Sequence, residues 1–360
     1  MAFRVIVTDA GYKHSIAFAD YAKRALTDIE IVGHTPGPAT PARWHRCYDR
    51  VVAKTPLETL LAAGDYDMVA PIGGNSVLTV AAAAPDKAVL APREKIEMCF
   101  DKTKTIAFAR AHGVPVPDTR TFELGDTIDL SGMAFPCVVK ASRENASVKA
   151  VTYCYDAAAL QETVTHQLAA MGGQSGLLVQ EFIKGTGAGL FALYDRGTPQ
   201  RVFMHERIRE APPSGGISTA ARAYDSDRLK ELGLRLLTAL GWHGPAMVEF
   251  RRSAATGEFV LMEINGKFWG SLELSLASGV NFAADIIRIY RGEALGPDPG
   301  YDRNTEFYWP LDGDILTLWK TGALGRMADY RRPNAHTNLG RSVRSDMRKA
   351  AALLGKMIRP

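Results

Sequence analysis

The stretch AMVEFRRSAATGEFVLMEIN, residues 246–265, reads as two antiparallel strands joined by a tight turn. In the first, Ala246, Val248 and Phe250 alternate with Met247, Glu249 and Arg251, so one face enters a core and Glu249 points away from it. In the second, Val260, Met262 and Ile264 are expected to alternate with Phe259, Leu261, Glu263 and Asn265, which puts Glu263 and Asn265 on one face. A turn at Thr256 and Gly257 brings the strands together. Two carboxylates and an amide oxygen converging there form a hard, oxygen-rich set suited to Mg2+, with nucleotide phosphates completing the shell. The pattern points to phosphoryl transfer. Taken alone it competes with an ordinary hairpin whose acids face water.

A chain of 360 residues, 46% hydrophobic and 23% charged, has the balance of a soluble enzyme and the length for two or three domains. The apolar run in MAFRVIVTDAG is too short for a signal peptide, and no run of eighteen apolar residues follows, so a cytoplasmic protein without a transmembrane segment is expected. Cys47, Cys99, Cys137 and Cys154 show no CxxC spacing and are expected as buried thiols. The net charge of +4 is uneven: residues 320–360 hold ten Lys/Arg and two acids. There, Val343, Met347, Ala350, Ala351, Leu354 and Ile358 recur at helical spacing among Arg341, Arg344, Arg348, Lys349 and Lys356. This describes a basic amphipathic helix that packs on its own chain or a partner subunit, or else meets an anionic surface. No nucleic-acid-binding signature and no basic stripe interleaved with aromatics runs through the body, so no nucleic-acid partner is expected.

FRVIV (3–7) reads as a buried strand, followed by the loop TDAGYKH, a helix from about Ser15 to Thr27, and strands at Glu30–Val32 and Asp67–Pro71. This βαβ series implies a small parallel sheet with ligands near the strand ends, here TDAG and Gly73–Ser76. TDAGYKH lacks the G-x-G-x-x-G of a dinucleotide fold. One helix is expected from about Arg93 to Val116, ended by Gly113, Pro115 and Pro117 at a domain boundary. FPCVVK then forms a strand closing on Lys140, SRENASVKAVTYCY a polar turn and a second strand, and Ala157–Met171 a helix. A strand restarts near Leu177, GLFALYDRG pairs with PQRVFMHERIRE across Gly197, and a helix covers Asp227–Gly241.

In this order the features resemble the ATP-grasp enzymes, above all the carboxylate–amine ligase branch that includes D-alanine–D-alanine ligase, with echoes of biotin carboxylase and carbamoyl phosphate synthetase. The likeness covers roughly residues 1–295. It implies an α/β and α+β chain: a pre-ATP-grasp parallel-sheet domain at 1–95, a lid subdomain at 96–180, an ATP-grasp C-terminal subdomain with the metal site at 181–300, and a basic helical extension at 301–360. By the same resemblance Lys102 in FDKTK and Lys140 contact nucleotide phosphates, and the loop Ser142–Lys149, Ser147 included, covers them. That loop has no glycine, whereas many relatives are glycine-rich there. Glu181 matches the acceptor from the adenine amino group, with the backbone at Phe182 and Ile183 reading the ring edge; GTGAG stands where several relatives carry a ribose-binding acid. In VFMHERIRE, Val202, Met204 and Ile208 are expected to face one way and His205, Arg207 and Arg209 the other, with Arg207 meeting the γ-phosphate. Glu249, Glu263 and Asn265 match the metal triad, for two Mg2+ ions that Mn2+ can replace, and Lys267 stands where several relatives carry an arginine that stabilises charge on the reacting carboxylate.

The activity implied is an ATP-dependent ligase. A small-molecule carboxylate attacks the γ-phosphorus of ATP, and an amine displaces phosphate from the acyl phosphate. Positioning and charge neutralisation carry such chemistry, and no GxSxG, HExxH or Walker-type motif occurs. Two other readings stand beside it: phosphorylation of bicarbonate or an enol-type oxygen, and a regulatory protein that binds ATP without transferring it. The substrate pocket is expected from Asp9–His14, Gly73–Ser76, Pro213–Thr219 and the segment after Asn265, with Trp269 and Glu273 as lining, and a homodimer by analogy.

Overall fold

The computed structural model describes residues 2–143, 147–149, 151–212 and 215–358. At the N-terminus β1 (Phe3–Val7), α1 (Lys13–Ala25), β2 (Ile29–Thr35), β3 (Arg50–Ala53), α2 (Leu57–Ala63), β4 (Met68–Ala70) and α3 (Gly74–Ala83) build a parallel sheet in the order β3-β2-β1-β4. Its strands are near-continuous Val/Ile runs because both faces are covered. Val5, Val7 and Phe18 enter one core, and Ile6, Val32, Val69 and Leu61 enter another.

The expected single helix after residue 93 is two helices, α4 (Arg93–Phe100) and α5 (Lys102–Ala111). Asp101 interrupts it: its backbone is extended (φ −101°, ψ 105°) and its carboxylate accepts from the Lys104 amide at 3.2 Å. A short acid that can bond its own downstream amides favours a cap over continuation. Ile96, Cys99 and Ala109 of these helices lie in the core beneath the large sheet, with Leu190, Val248 and Phe250.

β5 (Thr119–Phe122), β6 (Cys137–Ala141), β7 (Thr152–Cys154), α6 (Ala157–Met171) and β8 (Leu177–Glu181) form an antiparallel sheet, β5-β8-β6-β7, with α6 on one face. The Asp156 carboxylate caps α6 through the Ala159 amide at 2.8 Å, and Gly172 ends it at φ 56°, a left-handed conformation that suits glycine.

β9 (Gly185–Asp195), β10 (Thr198–Ala211), β11 (Ile217–Ala223), α7 (Asp227–Ala239), β12 (Gly244–Ser253), β13 (Phe259–Asn265), α8 (Leu272–Ala277), α9 (Phe282–Tyr290), β14 (Glu306–Tyr308), α10 (Asp314–Lys320), β15 (Ala335–Thr337) and α11 (Val343–Ile358) complete the chain. Seven of these strands form the large sheet in the order β13-β12-β9-β10-β11-β14-β15. The C-terminal extension is thus more than helical, since β14 and β15 widen this sheet. One face packs Leu190, Ala192, Tyr194, Val248 and Phe250 on α7. The other buries Phe191, Leu193, Phe203 and Ala221 against α1, α8 and α9, and leaves its remaining half open toward the small antiparallel sheet.

Two bulges correct the expected facing. In β13, Phe259, Leu261 and Ile264 are buried while Val260 and Met262 are half-buried, so the core alternation changes phase at Met262. Glu249 pairs with Glu263, but Phe250 pairs with Leu261, and the Leu261 amide leaves the ladder to bond the Pro115 carbonyl at 2.8 Å. The extra residue lets Phe259 and Leu261 fill the core while Glu263 and Asn265 still face the open side. In β10 the pairing jumps from Arg207–Ala221 to Arg209–Ala220, so Ile208 is the extra residue and Arg209 no longer shares a face with Arg207. The loop expected at 213–219 is shorter, because Ile217, Ser218 and Thr219 already belong to β11. Pro213 and Ser214 lie outside the described residues.

Candidate active site

Four strands of the large sheet carry the site. Glu249 on β12 stands directly opposite Glu263 on β13, a cross-strand pair whose Cβ atoms lie about 4.5–5.5 Å apart in such a ladder. Two like charges so close on a half-buried face need a cation. Arg207 of β10 reaches across β9 to supply one, with Nη2 2.8 Å from Glu249 Oε2. Its Nη1 lies 3.6 Å from Glu210 and donates to the Gly216 carbonyl at 2.6 Å. The strand between has to be bare there: a Cβ on Gly187 would meet Glu210 Oε1 at 2.6 Å and Arg207 Cδ at 2.7 Å.

Burial raises the Glu249 carboxyl, and Glu263 and Glu210 push the same way against Arg207 and Lys140. Burial works against the charge of Arg207, yet Glu249, Glu210 and Glu263 outweigh it and its pKa is raised. Asn265 Nδ2 donates to Glu263 Oε1 at 2.5 Å and so holds the carboxylate in place. Among the described residues no group of three His, Cys, Asp or Glu side chains could hold a metal unaided. The donor set here is two carboxylates and an amide, which fits a hard divalent cation only if a bound phosphate and water supply the other oxygens.

The cationic half of the site comes from the small sheet. Lys140, at the end of β6, is half-buried; burial lowers its pKa, opposed by Glu263 and Glu249 and assisted by Lys102 and Arg251. One ammonium therefore feels both acids and both neighbouring cations. Lys102 opens α5, and its amide donates to the Ser142 carbonyl at 2.8 Å, tying the helix start to the end of β6. Ser147 and Lys149 are exposed beyond that point, while Glu144, Asn145, Ala146 and Ala150 of the expected phosphate loop lie outside the described residues. Glu181 closes β8 with its carboxylate accepting from the Asp118 amide at 3.2 Å. Phe182 and Ile183 follow in the half-buried segment before β9, and the Phe182 ring meets Tyr153 edge-on at 5.7 Å.

Lys267 follows β13 and lies within electrostatic reach of His14 at the start of α1. With Lys13 it helps burial push the His14 imidazole down to about 3, against Asp9, so His14 is neutral at pH 7. Other expected residues lie elsewhere. Trp269 is a core side chain packed on Phe191, Phe268 and Phe282. Glu273 is fully buried and bonded to Arg341 and the Trp309 indole, each at 2.5 Å, so it lines no open pocket. His205 is buried against Phe191 and Phe203, and Arg209 pairs with Asp314 and Asp329 rather than with Glu249 or Glu263. Two site residues escape a reading by motif. Arg251, two positions beyond Glu249 and on the same face, was visible in the strand alternation. Glu210 was hidden by the bulge at Ile208; its carboxylate binds Arg251 at 3.3 Å.

No protein-family profile matches the chain, and no curated protein matches it in sequence. Solved structures do match in shape. The N5-carboxyaminoimidazole synthetase of Staphylococcus aureus complexed with ADP superposes with a TM-score of 0.70 at 13% identity, over 98% of each chain. The chain has the ATP-grasp fold. An L-amino acid ligase from Bacillus licheniformis shares that fold at TM-score 0.65 and 16% identity, over 84% of this chain and 79% of the other. So does the biotin carboxylase domain of Hydrogenobacter thermophilus 2-oxoglutarate carboxylase in complex with MgADP and bicarbonate, at TM-score 0.64 and 16% identity, over 85% and 74%. In this ATP-grasp fold, Lys140 of the small antiparallel sheet lies within electrostatic reach of Glu249 and Glu263 of the large one. No described helix is long and apolar enough to cross a membrane.

Proposed function

We propose that this chain is an ATP-dependent ligase that joins a small-molecule carboxylate to an amine through an acyl phosphate, releasing ADP and phosphate. The observation that carries the reading is the Glu249–Glu263 pair flanked by Arg207 on one side and Lys140 on the other. That arrangement matches what phosphoryl transfer asks of a protein: oxygens for a cation, and fixed positive charge where the transferred group develops negative charge. In this reading Glu249, Glu263 and Asn265 hold Mg2+, which neutralises phosphate charge. Lys140, Lys102 and Ser147 hold the phosphates, and Glu181 with the backbone of Phe182 and Ile183 takes the adenine ring. Residues 1–95 then supply one wall of the acceptor site, 96–180 the lid and 181–300 the metal floor.

Arg207 is the group that changes partner. Once a divalent cation shares Glu249, its guanidinium is available for the γ-phosphate oxygens, while Lys267 meets the substrate carboxylate from the side of His14. A carboxylate held between two cations, in line with the γ-phosphorus, is placed for attack without a covalent enzyme intermediate.

A second reading, phosphorylation of bicarbonate, is favoured by the likeness to a carboxylase domain that holds MgADP and bicarbonate. Hydroxylamine trapping with a panel of carboxylates distinguishes the two. Hydroxamate that forms only with particular organic acids, together with ADP, supports ligation. ADP release stimulated by bicarbonate alone sinks it.

A proton balance tests the phosphate role of Lys140. Burial lowers its folded-state pKa below the unfolded value, so the free protein gives up this proton as pH rises through the lowered pKa. A triphosphate favours the ammonium, so binding takes up a proton once pH passes the lowered pKa and weakens as pH rises further. Calorimetry in two buffers of different ionisation enthalpy reads the uptake, and Lys140→Gln abolishes it. An unchanged uptake in that variant removes Lys140 from the phosphate site.

A further inference from the structure

Beyond the metal pair, the large sheet and the C-terminal extension enclose a cavity of about 330 Å3, within the range of small-molecule sites. Its wall includes Arg207, Arg209, Arg251 and Arg326, with Thr321 at the end of α10. Glu210 is the one acid among the described residues of that wall, and it is shared between Arg207 and Arg251. Arg209 is neutralised from behind by Asp314 and Asp329, and Asp329 also pairs with Arg326 at 2.9 Å. On the wall itself, among the described residues, four arginines stand against one acid, and Arg207 is also paired with Glu249 at 2.8 Å. Arg251 Nε is buried without a hydrogen-bond partner, a spare donor in a planar fork suited to a carboxylate or phosphate. Arg207 belongs both to this cavity and to the metal pair, so a molecule held here lies next to the phosphoryl-transfer site.

We propose that this cavity docks a second anionic group, carboxylate or phosphate, on the carboxylate substrate, so that the chain acts on acids bearing at least two negative groups. This rests on the ligase reading. It assigns the C-terminal extension, through Thr321 and Arg326, a part in substrate selection.

Arg326 is the residue to test, because its side chain is 57% exposed and its replacement leaves the core intact. Calorimetry in the presence of MgADP uses three probes of similar length: a monocarboxylate, a dicarboxylate and a phosphorylated hydroxy acid. The dianions are expected to bind at least about tenfold more tightly than the monoanion, with the better of the two naming the second group. Arg326→Gln weakens that binding and Arg326→Glu weakens it by about tenfold or more, while MgADP affinity is unchanged. Equal binding of mono- and dianions, or equal binding by wild type and Arg326→Glu, overturns the subsite. Because binding is read without turnover, a failure to form hydroxamate with any acid refutes the ligase reading alone. The same preference seen as a rise in KM with kcat preserved upholds both.

Discussion

Glu249→Gln and Glu263→Gln are each expected to lower ATP turnover by about a thousandfold, the scale at which removing one preorganised electrostatic group acts on charge-developing reactions. The two acids face each other across one rung of the ladder, and in the proposed site each supplies carboxylate oxygens to the cation. With one carboxylate gone, the proposed Mg2+ would lose both a ligand and half of the carboxylate charge that attracts it. Folding is expected to survive. Arg207 keeps Glu210 at 3.6 Å, and the repulsion that helps raise the Glu249 carboxyl is relieved. The check is steady-state ADP release against Mg2+ concentration, with circular dichroism and thermal unfolding alongside. Turnover retained within about tenfold in both variants would remove the metal site from the mechanism.

Glu273→Ala is expected to destabilise the protein by about 3–5 kcal/mol, the cost of leaving buried charge without its partner. The Glu273 side chain has no exposed surface. It accepts from Arg341 and from the Trp309 indole, each at 2.5 Å, and Lys13 lies against the same Trp309 ring at 4.2 Å from its centroid. Burial raises the Glu273 carboxyl and lowers the Lys13 ammonium, while Arg341 and Lys13 pull the carboxyl back down and Glu273 pulls the Lys13 ammonium back up. Because Arg341 sits just before α11, the loss loosens the C-terminal extension from the body. Urea unfolding measures the effect, and Glu273→Leu combined with Arg341→Met recovers part of it, since removing both charges avoids the unpaired one. A loss under about 1 kcal/mol for Glu273→Ala would mean that the network contributes little.

The local pattern of the chain was readable wherever short-range physics decides it. FRVIV as a buried strand, Ala157–Met171 as a helix, the β9–β10 hairpin turning at Gly197 and the pairing of β12 with β13 all follow from periodicity and turn residues. So does the placement of Glu249, Glu263 and Asn265 on one open face. The order of these elements with Lys140 and Glu181 led to the ATP-grasp resemblance, and the superposition on solved structures bears out that fold.

Tertiary structure decided the rest, chiefly through the bulges at Met262 and Ile208. A strand's alternation is legible only while its register is unbroken, and a single inserted residue sends every later side chain to the other face. No residue type announces that event, because it depends on which partner strand supplies the next hydrogen bond. It left Arg209 paired with Asp314 and Asp329 and brought Glu210 beside Arg207. Likewise, the placement of Arg341 against Glu273, and of Arg326 beside Arg251, joins residues 68 and 75 positions apart in the chain. The sequence by itself determined most of the elements and the facing of side chains along unbroken strands; only the packed chain determined where a bulge reverses that facing and which side chains meet, because contacts between distant segments follow from the burial of the whole core.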